Sequence, residues 1–230
     1  MVQWIELIVQ LKFEQIGGSD IVLIKMDSYS DQRGEVSEVY NQQQFHQYGI
    51  CDDFVHEAEN RSKFNVIRGL HYQAKENQIS KLIRVLNGSY KCVFIDIRQS
   101  SQELGRVYCH YLADQKEMVY LPVGYAIGIQ SFDHTNHFIY KMSGAYDHQY
   151  ARSINPVKDT QALADSNGNS LSLIFAQGVR EKLAEFQNEF MTSSHYRLDW
   201  DDPTKWIDPL VSDKDKEAPT WGQYLERPEY

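Results

Sequence analysis

Short hydrophobic runs broken by turn residues dominate the first 150 positions. Ile21–Met26 is a β-branched run. Lys81–Leu86 and Tyr90–Arg98 flank Asn87–Gly88, two residues that tolerate positive φ, so this stretch predicts a hairpin. Val107–Leu112 and Met118–Leu121 flank a polar segment, 113–117, and His137–Met142 gives a further strand. Strands of this length at turn-rich spacing predict an antiparallel barrel or sandwich. The pattern changes after Tyr150. Residues 155–170 are polar and turn-like. Leu171–Met191 then carries Leu173, Ile174, Val179, Leu183, Phe186 and Phe190 at three- and four-residue spacing, which predicts a helix whose stripe serves packing. After Tyr196 the chain is rich in Asp, Pro and Trp. With neither repeat nor linker in view, the expectation is one domain over 1–230 with an insertion at about 155–196.

Composition narrows the function classes. The 230 residues are 42% hydrophobic and 24% charged, ordinary for a globular chain with a sizeable core. A net charge of −9 disfavours nucleic acid, which needs a basic face to displace counterions. It leaves room for a small anion held by a few arginines. No apolar run reaches the ~20 residues that cross a bilayer, so no membrane association is expected. The opening segment MVQWIELIVQ carries Glu6 and lacks a basic leader, so it reads as a strand or an added remnant rather than a signal peptide. Cys51, Cys92 and Cys109 have no CxxC spacing and fit a reducing cytoplasm, with Cys92 and Cys109 as small buried hydrophobes.

Candidate chemistry centres on His71, within Val66-Ile-Arg-Gly-Leu-His-Tyr-Gln73. Strand alternation sends Arg68 and His71 to opposite faces unless Gly69 bulges. A cupin-type metal site wants a second histidine close by; residue 73 is Gln, so no metal is expected. Asp199, Asp201 and Asp202 precede Pro203. Alone they read as a solvated turn; alternatively, one of them holds an imidazole. Tyr140, alone, is an ordinary strand aromatic, and Asp31–Gly34 an ordinary turn.

In order along the chain, these segments belong to a longer series. It runs through Leu11–Phe13, Asp31–Tyr40, Val66–Gln73, Lys81–Gly88, Val93–Arg98, Leu121–Gly124, Phe138–Lys141, Trp200–Pro203 and Leu210–Asp215. The series resembles the dTDP-4-dehydrorhamnose 3,5-epimerase family over about residues 11–150 and 196–220. The resemblance implies a mainly β, cupin-like antiparallel jelly-roll barrel, here with a helical insertion and a short C-terminal tail. It implies a homodimer with strand exchange, no cofactor, and a nucleoside-diphosphate 4-keto-6-deoxy sugar as substrate, in deoxysugar or polysaccharide synthesis. Protons on C3 and C5 of such a sugar flank the ketone, so inversion needs a base on one face, an acid on the other and positive charge at the C4 oxygen. By the resemblance His71 is the base, Asp202 (less favourably Asp201) orients its ring, Tyr140 is the acid, and Lys81 faces the enolate. Arg33, Glu38, Arg68, Gln73 and Tyr146 fall on substrate-binding positions.

Four departures qualify that expectation. Gly124-Tyr-Ala-Ile-Gly-Ile129 places Ile127 where the family carries a polar histidine, which questions double inversion. His56 and Ala58 stand where the family reads thymine with Gln and Asn, and Val36 replaces an aromatic. Roughly 44 extra residues precede Trp200, either a packing decoration or a lid or oligomer contact. The residues before Leu11 have no counterpart. Two alternatives stand beside the epimerase: a sugar 3,4-ketoisomerase, against which Gln73 argues, and a non-catalytic nucleotide-sugar-binding cupin.

Overall fold

The computed structural model describes residues 10–158, 163–171, 173–177 and 209–229. Two antiparallel sheets face each other. The first contains β1 (Leu11–Gln15), β2 (Val22–Met26), β5 (His56–Ser62), β7 (Lys81–Asn87), β10 (Glu117–Leu121) and β12 (Asn136–Met142), in the order β1-β2-β10-β7-β12-β5. The second contains β6 (Val66–Gln73), β8 (Tyr90–Asp96), β9 (Val107–Leu112), β11 (Tyr125–Ser131) and β13 (Ala151–Ser153), in the order β13-β6-β11-β8-β9. β14 (Leu210–Val211) lies parallel to the start of β6. β3 (Ser28–Asp31) and β4 (Gly34–Ser37) form a separate hairpin, and α1 (Gln42–Tyr48), α2 (Asp213–Lys216) and α3 (Trp221–Glu226) are short helices. The mainly β, cupin-like expectation therefore holds. The strands expected at Ile21–Met26, around Asn87–Gly88, at Val107–Leu112, before Leu121 and at His137–Met142 fall where β2, β7, β8, β9, β10 and β12 lie.

Alternation along each strand sorts the side chains into three apolar layers. The inner layer joins Leu23, Ile83, Val85, Val119 and Phe138 of the first sheet to Cys92, Phe94, Leu112, Ile127 and Ile129 of the second. Outside the first sheet, Val22, Ile24 and Met118 are covered by Phe45 of α1 and by Ile50. Outside the second sheet, Ile67, Leu70, Val93 and Ile95 are covered by Leu163, Leu171, Ile174, Phe175, Trp221 and Tyr224. Strands such as β8 and β11 are thus buried on both faces, which is why their sequences run hydrophobic without alternation.

The described part of residues 155–196 belongs to that last layer. Leu171 and Leu173–Gln177 are helical, and Lys91 Nζ donates to the Ile174 carbonyl at 3.1 Å. This stretch packs on the outer face of the second sheet, away from the inner layer. The rest of the expected helix, and the expected N-terminal strand, lie outside the described residues. Cys92 is buried, Cys109 half-buried and Cys51 exposed.

A bulge at Gly69 answers the question raised by the alternation of β6. Against β11, His71 stands opposite Ile127 and Arg68 opposite Ile129, so three steps on one strand match two on the other. Gly69 has φ +120°, and a Cβ there would strike the Ile127 carbonyl. Its peptide bond to Leu70 is cis. With this shift of register Leu70 faces outward, while both Arg68 and His71 face inward.

Candidate active site

A pocket of about 140 Å³ opens between the two sheets. The second sheet supplies Arg68, His71 and Gln73 from β6 and Ile127 and Ile129 from β11. The first supplies Lys81 and Ile83 from β7, Phe138, Tyr140 and Met142 from β12, and Asn60 from β5. Residues 81 and 83, and residues 138, 140 and 142, share a face by two-residue alternation. Tyr146, Arg152 and Lys214 stand at the rim.

The cross-strand register gives each polar group an aliphatic neighbour. His71 is opposite Ile127, Arg68 opposite Ile129, Tyr140 opposite Ile83 and Lys81 opposite Met142. Such flanks exclude water and strengthen the electrostatics of whatever sits between them.

His71 Nε2 lies 2.8 Å from Asp215 Oδ1. Asp215 is 2% exposed, and Ser153 Oγ donates to the same oxygen at 3.0 Å. Its position comes from a local signal. Ser212 caps α2, accepting from the Asp215 amide, and so turns the aspartate toward β6. Burial alone would raise the Asp215 carboxyl, but hydrogen bonds from His71, Ser153 and Ser212 outweigh it and hold it below the ordinary carboxylate range. An ionised Asp215 fixes the tautomer: Nε2 carries the proton, and Nδ1 keeps the lone pair.

Across the pocket, burial pushes the Lys81 ammonium down to about 8. Among the described residues it forms no ion pair with a carboxylate. The Tyr140 phenol is raised by burial, with Tyr146 adding to that and Asn60 and Arg68 opposing it. It therefore stays protonated at neutral pH, a donor held opposite His71. Gln73 is 5% exposed; its Oε1 accepts from Asn77 Nδ2 at 3.4 Å, while its Nε2 has no acceptor within the described structure. Arg68 is tethered at the mouth by donating to Ser62 Oγ and the Arg61 carbonyl.

Of the residues picked from sequence, His71, Tyr140, Lys81, Arg68, Gln73 and Tyr146 converge on this one pocket. Arg33 and Glu38 do not. Arg33 pairs with Asp31 on the exposed β3–β4 hairpin, and Glu38 accepts from Asn41 and Gln44. Asp201 and Asp202 lie outside the described residues; the carboxylate that meets the imidazole is Asp215. Sequence reasoning also missed Ser153, Asn60, Arg152 and Lys214. The Ser212-Asp-Lys-Asp215 capping pattern was the available signal for Asp215. Among the described residues, no group of three or more His, Cys, Asp and Glu side chains gathers as a metal site, and no helix is long and apolar enough to cross a membrane.

The arrangement presents a hydrogen-bonded imidazole on one side, and a phenol and an ammonium on the other. That set suits proton transfer at a carbon beside a carbonyl. Comparison with known proteins points the same way. The family model described as dTDP-4-dehydrorhamnose 3,5-epimerase matches residues 16–172. The Salmonella typhimurium dTDP-4-dehydrorhamnose 3,5-epimerase is 35% identical over 129 residues, covering 55% of this chain and 70% of that protein. The crystal structure of the Elizabethkingia anophelis enzyme of the same name superposes with a TM-score of 0.70 at 24% identity, over 96% of this chain and 99% of that one. A 3'-monoepimerase from Streptomyces bikiniensis, solved with dTDP-quinovose, superposes with a TM-score of 0.65 at 21% identity, over 93% and 88%. The chain belongs to the dTDP-4-dehydrorhamnose 3,5-epimerase family of isomerases.

Proposed function

We propose that this isomerase inverts C3, C5 or both in a nucleoside-diphosphate 4-keto-6-deoxy sugar, as a step in deoxysugar or polysaccharide synthesis. The observation that carries the reading is His71 of one sheet, backed by Asp215 of α2, facing Tyr140 and Lys81 of the other sheet across a single pocket. His71 Nδ1 takes the proton alpha to the ketone, and the carbon–hydrogen bond electrons pass into the enolate. Asp215 stabilises the resulting imidazolium, as carboxylates do beside catalytic histidines. The Lys81 ammonium meets the charge that develops on the C4 oxygen. Tyr140 then delivers its phenolic proton to the opposite face of the same carbon and is reprotonated from solvent. Arg68, with Arg152 and Lys214 at the rim, supplies positive charge for the diphosphate.

Arg33 and Glu38 contact substrate, in this reading, by reaching the pocket of a second copy. The exposed hairpin that carries Arg33 also exposes Tyr29 and Val36, as a strand-exchanged homodimer would use. The unpaired cysteines suit a cytoplasmic enzyme. Both single- and double-centre epimerases share this fold by their names, so the number of centres is read from the pocket.

The test is proton NMR of thymidine, cytidine and guanosine diphosphate 4-keto-6-deoxyhexoses incubated with the protein in deuterated water. Loss of the C3 or C5 signal, with inversion, is expected. Tyr140→Phe should still exchange the proton yet return the uninverted sugar. Absence of exchange with all three nucleotides defeats the proposal.

A further inference from the structure

The surroundings of His71 are unequal in a way the two reacting carbons of the sugar can sense. Directly across the strand from His71 is Ile127, 5% exposed, followed on the same face by Ile129. Two residues along its own strand, again on the same face, is Gln73, whose buried Nε2 lacks an acceptor among the described residues. The base thus lies between an aliphatic wall and a donor seeking a partner. A buried amide left unpaired is costly, which marks this nitrogen as awaiting a ligand oxygen.

The sugar has matching ends. Carbon 5 carries a methyl group, and carbon 3 carries a hydroxyl. The bond broken must stand upright to the carbonyl plane, so the ring lies flat against His71 and its equatorial substituents run along the sheet. Opposed Cβ atoms in a strand pair are about 5 Å apart, which brings a C5 methyl onto Ile127 when C5 lies over the imidazole. Along the strand, His71 and Gln73 are about 7 Å apart. A C5-to-O3 span of about 3.7 Å plus a hydrogen bond of about 2.9 Å covers that distance. With C3 over the base instead, its hydroxyl abuts the aliphatic wall and the Gln73 donor loses its fit.

We propose that Ile127 and Gln73 make this enzyme selective for C5: the pocket seats the methyl on Ile127, anchors the C3 hydroxyl on Gln73 Nε2, and presents the C5 proton to His71. In the step, the C5–H bond breaks and its proton goes to His71 Nδ1. The electron pair forms the C4–C5 enolate, and the new C5–H bond takes its proton from Tyr140. Selectivity rests on the epimerase reading, and the experiment separates the two.

Exchange of the C3 and C5 protons is followed by NMR in the same tube, using the thymidine diphosphate 4-keto-6-deoxyhexose in deuterated water. Loss of the C5 signal about 10–100-fold faster than the C3 signal is expected, the range that one misplaced hydroxyl sets. Equal rates, or faster C3 loss, overturn the selectivity while leaving the epimerase intact. No loss at either carbon overturns both. Ile127→Asn should raise C3 exchange relative to C5, whereas Ile127→Val, which keeps the wall apolar, should preserve the preference. A ratio unchanged by a folded Ile127→Asn protein also overturns the proposal. Gln73→Leu should raise KM about tenfold with a smaller effect on kcat; an unchanged KM removes Gln73 from it.

Discussion

Two aspartates are buried in this molecule to nearly the same degree, and they are employed differently. Asp96 is 0% exposed, Asp215 2%. Burial raises the carboxyl of each, and hydrogen bonds reverse that and hold it low. Asp96 is saturated by Arg98, through Nε at 3.0 Å and Nη2 at 2.6 Å, and by Ser101 Oγ at 2.7 Å. Arg98 is itself held by Asp20 and Tyr125, and its guanidinium lies 4.8 Å from the Tyr125 ring centroid. Gly124, at φ +88°, leaves the room that the Arg98 stem fills. That partner is always charged. Asp215 instead faces the His71 imidazole and opens onto a pocket. A buried carboxylate beside a permanent cation is a fastener; beside a titratable base it is a support for charge that comes and goes.

Exchanging each aspartate for asparagine tests that difference, and the largest effect is expected at the site. Asp215→Asn should lower turnover about 10²–10⁴-fold, because the imidazole loses both its tautomer and the support of its cation. Its melting temperature should fall less than that of Asp96→Asn, since the bond lost is to an imidazole and not to a guanidinium. A turnover within threefold of wild type would remove Asp215 from the mechanism. Asp96→Asn should do the reverse. Breaking a buried pair costs about 3–5 kcal/mol, or about 10 °C in a chain of this size, with exchange per folded molecule unchanged. Because the folded carboxyl is depressed, its stabilisation is present above the unfolded value near 4 and is lost as pH falls through the folded value. A thermal melt series from pH 7 to 3 should show that loss in wild type and not in Asp96→Asn.

Lys81 sharpens the contrast from the other side, as a buried cation that pairs with no carboxylate among the described residues. Its ammonium titrates near 8, so kcat should fall as pH rises through about 8, tenfold per unit. Lys81→Met should lose about 10²–10³ in kcat and show no such fall. The sign for stability is opposite to that of Asp96. A lysine depressed in the folded state opposes folding while charged, so the methionine variant should melt no lower than wild type at pH 7. A pH-independent wild-type kcat between 7 and 9.5 would show that the charge on Lys81 is not used.

Much of the framework was legible because it is local. Asn87–Gly88 predicted the β7–β8 hairpin from two residues, and His137–Met142, which carries Tyr140, read as a strand and lies in β12. The bulge at Gly69 was legible only as a condition: Arg68 and His71 share the pocket if it exists, and it does. Helix α1 escaped because Gln42–Tyr48 has a single buried apolar residue, Phe45, and so no stripe; its signals were Asn41 and Gly49 at the ends. The partner of His71 escaped for a different reason. Asp215 is 144 residues away along the chain, and Asp199–Asp202 offered a denser acidic cluster. Only the tertiary path, with β14 laid beside β6 and α2 capped by Ser212, chooses among carboxylates. Nor did any local pattern place Leu163–Phe175 on the outer face of the second sheet.

Gly69 has a further consequence, which is arithmetic. Before it, Arg68 faces the pocket and Ile67 the outer layer; after it, His71 and Gln73 face the pocket and Leu70 the outer layer. The glycine is therefore a change of parity written into the strand, and Arg68-Gly-Leu-His71 is a word of fixed length. Side chains on either side can be exchanged and still point where they did. Adding or removing one residue between Arg68 and His71, or filling the glycine, puts the two halves of the strand out of step, and the guanidinium and the imidazole no longer serve the same cavity. What the site depends on at this point is a count as much as a chemistry.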